Sequence, residues 1–216
     1  AIGATAPRAG ILVDSQPVVT ASTAGYFVVG FDRDAPAQTA ITVQNSDGTA
    51  VHDLPIAPGA YDIQRVDGLR QDTVTPTDPA LLERIAAEAK RKAIGFASNI
   101  DADYFKDGFV LPVQATRISG SFGGQRILNG VPATPHFGYD MAAPVGTPIV
   151  APGAGVVSFA ETGLHFEGGL VMIDHGQGLV SCYLHMSQVD VVLNQRLAQG
   201  DRIGLPLKPV ADKVAA

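Results

Sequence analysis

The sequence predicts a mostly β protein with three parts: an N-terminal antiparallel β-sandwich, a helical linker and a C-terminal antiparallel β domain. Three observations carry this. Among 216 residues there are 24 Gly and 15 Pro, which supply the positive φ and the preset first turn position that tight turns need. Runs rich in Val, Ile and Thr recur at roughly ten-residue spacing in two separate stretches, the pattern of short strands joined by turns. Between the stretches lies a single segment with helical periodicity. Hydrophobic residues make up 46% and charged residues 17%, enough apolar surface for two ordinary domains and no mark of bulk disorder.

The first stretch, residues 1–66, contains "ILVDSQPVVT", "GYFVVGFDRD", "TAITVQNSDG" and "AVHDLPIAPGAYDIQRV". Ser46-Asp47-Gly48 reads as a hairpin turn within a small sandwich. Nothing in this stretch has the chemistry of a reaction centre, and His52 reads as a surface residue of a strand. Residues 67–107 form a linker, rich in Pro, Asp and Thr at its start, with a helix expected at about 79–95. Asp78 caps it and Pro79 suits the first turn, where a missing N–H is no loss. Leu81, Leu82, Ile85 and Ala89 form the expected apolar stripe, and Lys90, Arg91 and Lys92 the expected solvated face. From Phe109 the strand texture returns, so residues 108–216 are expected to form the second β domain.

A net charge of −6 with scattered basic residues gives no electrostatic footprint for nucleic acid or anionic lipid. No run of eighteen apolar residues occurs, so no membrane insertion is expected. Cys182 lies alone in an apolar run and reads as a small buried hydrophobe.

Four of the five histidines fall in the second domain, and "HFGYD" places His136 and Asp140 four apart with Gly138 between them. On a regular strand the two would share a face yet stand about 13 Å apart, too far for one ion. A bend at Gly138 would bring them together. Spacing alone therefore leaves both a metal pair and a polar kink open.

The quoted context is wider. "RISGSFGGQRILNGVPATPHFGYDMAAPVGTPIVAPGAGVV", "GGLVMIDHGQGLVSCYLHMS" and "QRLAQGDRIG" follow one another in order. The run from Ile118 to Gly204 resembles the LytM-type (lysostaphin-like, M23) zinc metallopeptidases, which cut peptides of bacterial cell-wall peptidoglycan. The resemblance implies a LytM-type β domain, zinc as cofactor, His136 and Asp140 as metal ligands and His185, in "YLHMS", as a catalytic histidine beside the metal. Such a site would polarise a peptide carbonyl and activate water, with the non-ligand histidine stabilising the oxyanion or moving a proton. By the same resemblance His175, in "IDHGQG", supports a hairpin. His165 reads as an exposed loop residue, and Tyr139 and Tyr183 as packing groups.

Members of that family continue past "GDRIG" to an HxH strand that supplies the third ligand and the general base. Here the sequence reads "LPLKPVADKVAA", and no histidine follows His185. The domain is therefore expected to be incomplete at its C-terminus, with no identifiable third zinc ligand. Truncation, a natural pseudoenzyme, or substitution by His165 or another carboxylate would each account for this. An edge left without its strand would expose unpaired backbone groups and suggests a homodimer through that edge. Two functions follow as expectations: a zinc endopeptidase acting on peptidoglycan peptides, or a non-catalytic module that binds peptidoglycan or regulates a partner hydrolase. Either implies export to the periplasm or cell envelope.

Overall fold

The computed structural model describes residues 1–68, 78–115, 117–144 and 146–207. The chain begins with β1 (Ile2–Ala4), β2 (Gly10–Val13), β3 (Gln16–Thr20), β4 (Tyr26–Val28), β5 (Gln38–Asn45) and β6 (Gly48–Pro55). A four-stranded antiparallel sheet in the order β3-β2-β5-β6 faces the two-stranded pair β1-β4. Alternation along β5 explains why they pack: Thr39, Ile41 and Val43 point inward, and Ile41 and Val43 join Ala9, Ile11, Ala21, Phe27 and Val29 in one core. Ser46-Asp47 turns β5 into β6, with Asn45 opposite Gly48. "ILVDSQPVVT", by contrast, is a hairpin, split at Asp14 and Ser15, which both take positive φ.

β7 (Ile63–Val66) closes the first stretch and pairs in parallel with β9 (Gln125–Leu128), whose other neighbour is β10 (Val131–Pro132). A strand of the expected N-terminal module thus hydrogen-bonds into the second one. The linker residues 69–77 lie outside the described residues, as does the tail 208–216.

Helix α1 (Pro79–Phe96) starts as expected: the Asp78 side chain accepts from Ala80 N at 3.1 Å, and Pro79 occupies the first turn. The buried face differs from the expected stripe. Leu82 and Ala89 are exposed, and the inward positions are Leu81, Ile85, Glu88, Lys92 and Gly95. Polar pins set this orientation. Glu88 accepts from His165 N at 2.9 Å and pairs with Arg84, Arg91 pairs with Glu161 at 3.0 Å, and Lys92 pairs with Glu167. Lys90 and Arg91 are exposed, as expected of a solvated face, whereas Lys92 is largely covered; Arg91 and Lys92 also brace the hairpin that carries Glu161 and Glu167. At Gly95 a Cβ would lie 2.9 Å from both Met172 Sδ and Phe159 Cβ, so only glycine permits this approach.

A 3-10 turn at Tyr104–Asp107 follows. The run from Phe109 is not a strand; the next strand is β8 (Arg117–Gly120), paired with β11 (Asp140–Ala142). The rest is a six-stranded sheet of β12 (Ile149–Val150), β13 (Gly155–Leu164), β14 (Gly168–Asp174), β15 (Val180–Val189), β16 (Arg196–Leu197) and β17 (Arg202–Pro206), in the order β12-β17-β15-β14-β13-β16. β14 is buried on both faces. Val171 and Ile173 join one core with Val157, Met186 and Ile203, while Leu170 and Met172 join Phe159 and Leu164 in another, reached by α1 at Gly95. The molecule is mostly β with one long helix among the described residues.

Candidate metal centre

His136 precedes a bend at Gly138, and Asp140 opens β11. The bend folds the four-residue spacing back on itself, so that His136 Nε2 lies 3.3 Å from Asp140 Oδ1. Two donors on one tetrahedral zinc, each about 2.0–2.1 Å from it, are separated by about 3.4 Å. The pair therefore fits as two ligands of a single ion. The other ring nitrogen is already engaged: His136 Nδ1–H donates to the Ser121 carbonyl at 3.2 Å. That contact fixes the tautomer with the lone pair on Nε2, as a ligating imidazole requires. Side-chain exposures of 39% for His136 and 56% for Asp140 leave the pair open to solvent.

Three glycines make the arrangement possible. A Cβ on Gly120 would stand 2.5 Å from Asp140 Oδ2 and 3.2 Å from His136 Cε1. One on Gly138 would stand 3.3 Å from His136 Nε2. Gly123 has φ +84° and donates its N–H to the His136 carbonyl at 2.7 Å, while His136 N donates to Gly124 O at 2.7 Å. Neither Gly120 nor the Ser121 carbonyl stood out in the sequence. The only hint was the glycine spacing in "SGSFGG".

His185 lies on β15, exposed, with φ +57°. Its N–H donates to Glu167 O at 2.9 Å and its carbonyl accepts from Leu207 N at 2.7 Å. Among the described residues no third His, Cys, Asp or Glu, His185 included, joins His136 and Asp140 in a set that could hold a metal ion. His165 is exposed in the β13–β14 turn against Phe166. His52 is exposed on β6, opposite Ile41.

His175 is fully buried and structural. Its Nδ1–H donates to Ala154 O at 2.6 Å, and its Nε2 accepts from the Ser181 hydroxyl at 2.7 Å, which in turn accepts from Tyr183. Burial holds its pKa below the ordinary imidazole value. Burial likewise pushes the Tyr183 phenol up and the Cys182 thiol to about 11, so both stay protonated. Tyr139, by contrast, is exposed rather than packed.

Residues 134–209 match the profile of Peptidase family M23. A stretch of 94 residues, 41% of the chain, is 39% identical to peptidoglycan DD-endopeptidase ShyA of Vibrio cholerae and covers 21% of that protein. Another of 103 residues, 46% of the chain, is 32% identical to the cell division protein DipM of Caulobacter vibrioides and covers 15% of it. The chain thus spans only about a fifth of these relatives' length. A crystal structure of a candidate M23 peptidase from Pseudomonas aeruginosa superposes with TM-score 0.68 at 24% identity, over 95% of this chain and 79% of that one; it shares the fold. Profile match, relatives and fold point the same way: residues 134–209 are similar to peptidase family M23.

Proposed function

We propose that this domain holds a zinc ion through His136 and Asp140 and serves the hydrolysis of peptide bonds in peptidoglycan cross-links. The observation that carries the reading is the 3.3 Å approach of His136 Nε2 to Asp140 Oδ1, with the far ring nitrogen held by Ser121. The name of the ShyA relative, a peptidoglycan DD-endopeptidase, supports the substrate. Zinc, when bound, supplies a Lewis acid that polarises a carbonyl and acidifies water. In the neutral ring the Ser121 carbonyl keeps the proton on Nδ1 of His136, which leaves the Nε2 lone pair for a metal. His185 is the imidazole we assign to proton movement at the leaving amine. Such a substrate puts the protein in the cell envelope, in keeping with relatives named as lipoproteins.

A second reading has its own support. Two protein ligands hold zinc more weakly than three, and no third stands with the pair among the described residues. That favours a module which binds peptidoglycan without cutting it. Incubation with purified cross-linked sacculi separates the two. Loss of cross-links, with one new amine and one new carboxylate per bond cut and release of soluble glycan strands, absent in His136→Ala, is the expected result. Co-pelleting without release establishes the binding module, and neither release nor co-pelleting overturns both.

A further inference from the structure

Residues 1–66 carry no reaction-centre pattern in their sequence, yet two of them reach the loop that presents His136. Arg33 follows β4 and is only 10% exposed, unusual for a guanidinium unless it is paired. It lies over the Tyr61 ring, 4.7 Å from the centroid. Its Nη1 donates to Gly123 O at 2.8 Å and to Gln125 Oε1 at 3.4 Å, while Tyr61 OH donates back to Arg33 O at 3.2 Å. Tyr61 in turn covers Gly123 so closely that a Cβ there would fall 2.1 Å from the ring. One residue on, Gln125 N donates to Asp62 O at 2.9 Å, and the parallel β7–β9 ladder continues the contact.

The clasped turn is also the one that builds the metal pair. Gly123 and Gly124 exchange backbone hydrogen bonds with His136 at 2.7 Å each, and Ser121 O takes the His136 Nδ1–H. A path of direct contacts therefore runs from the Arg33 guanidinium through Gly123 to the backbone of His136. We infer that Arg33 and Tyr61 are positioning residues for the His136–Asp140 pair: the N-terminal module acts as the outer wall of the metal site and not as a separate binding unit. The wall supports without covering, since the pair stays open to solvent. A stacked guanidinium suits the task, because its plane lies on the Tyr61 ring and so sets the direction in which Nη1 reaches Gly123 and Gln125.

The inference rests on the metal reading of the pair, so its test carries one readout without metal. In the metal-free protein, imidazole 15N shifts report the His136 tautomer. The wild type is expected to be Nδ1–H, and Arg33→Ala a mixture. In a Zn2+ titration, Arg33→Ala is expected to bind roughly tenfold more weakly, the lower end of what losing a supporting partner costs. Arg33→Lys, which keeps the charge but not the plane stacked on Tyr61, should rescue little. Tyr61→Phe, which removes only the hydroxyl, guards against a variant that fails to fold and should weaken binding in the same direction. Arg8→Ala, which loosens the module at Asp101 instead, should match wild type. Wild-type zinc affinity and tautomer in Arg33→Ala, with binding lost in His136→Ala, overturn the clasp alone. Unchanged binding in His136→Ala overturns the metal reading, and the tautomer then decides the clasp by itself.

Discussion

Gly120 lacks a side chain because two others occupy the place where it would be. Its substitution by Ala adds a methyl 2.5 Å from Asp140 Oδ2, which drives the exposed carboxylate outward, away from His136. Gly120→Ala is expected to weaken Zn2+ binding by roughly tenfold or more while urea unfolding shifts by less than about 1 kcal/mol, as for an exposed site. Isothermal titration beside denaturation checks both, and a large stability loss with intact binding would refute the account. The sequence exposed the HxxxD pair but not its geometry. Strand spacing put the groups about 13 Å apart, whereas a bend at Gly138 brings them to 3.3 Å. Ser121 and Gly120 carry no periodic signal, since they act across 15 or more residues of chain. His175 behaves oppositely: "IDHG" marked it as structural, and it is. Its folded pKa is depressed below 6.5 by burial, so stability is full above pH 6.5 and falls as acid protonates the unfolded chain first. His175→Gln is expected to lose that portion of the decline between pH 7.5 and 5.5 in denaturant titrations.

At the scale of the element, α1 shows why a correct boundary can accompany a wrong face. Asp78 and Pro79 mark the start through local hydrogen bonding, which the sequence displays directly. The face is decided by partners far along the chain. Glu161, Glu167 and the backbone of His165 recruit Arg91, Lys92 and Glu88, and an apolar count cannot register charges held in pairs. Gly95 makes the contest quantitative. Gly95→Ala would gain about 1 kcal/mol of helix propensity, but its methyl meets Phe159 Cβ and Met172 Sδ at 2.9 Å. Met172 can yield at its flexible end; Phe159 Cβ is tied to the backbone of β13. Overpacking costs typically about 1–3 kcal/mol, so the variant is expected to be destabilised by about 1 kcal/mol net in urea. A stabilised Gly95→Ala would show that the helix rides further from the sheet.

Across the whole molecule, the contacts that tie the first stretch to the rest include, among the described residues, the β7–β9 ladder, the Arg33–Tyr61 clasp and a latch around Asp101. The alternation of turn residues and strand runs on either side of one helix was legible; the joints were not, because each joins residues roughly sixty to ninety positions apart. Asp101 is the joint that titrates. Its Oδ2 pairs with Arg8 at 2.7 Å and its Oδ1 accepts from Thr23 N and from Gln177 Nε2, so one carboxylate ties the first module to the loop after β14. The Thr23 N–H, with Arg8 and Gln177 adding to it, holds its pKa below the ordinary 3.8. A lowered folded pKa makes the contribution complete above pH 3.8 and removes it as pH falls further through the folded value. Asp101→Asn keeps the shape but not the charge, so it should lower the calorimetric midpoint at neutral pH and flatten the acid decline below pH 3.8. It should leave the response between pH 7.5 and 5.5, where His175 acts, as steep as in the wild type. An unchanged midpoint at neutral pH together with an unchanged acid limb would mean that the modules are held by the ladder and the clasp alone.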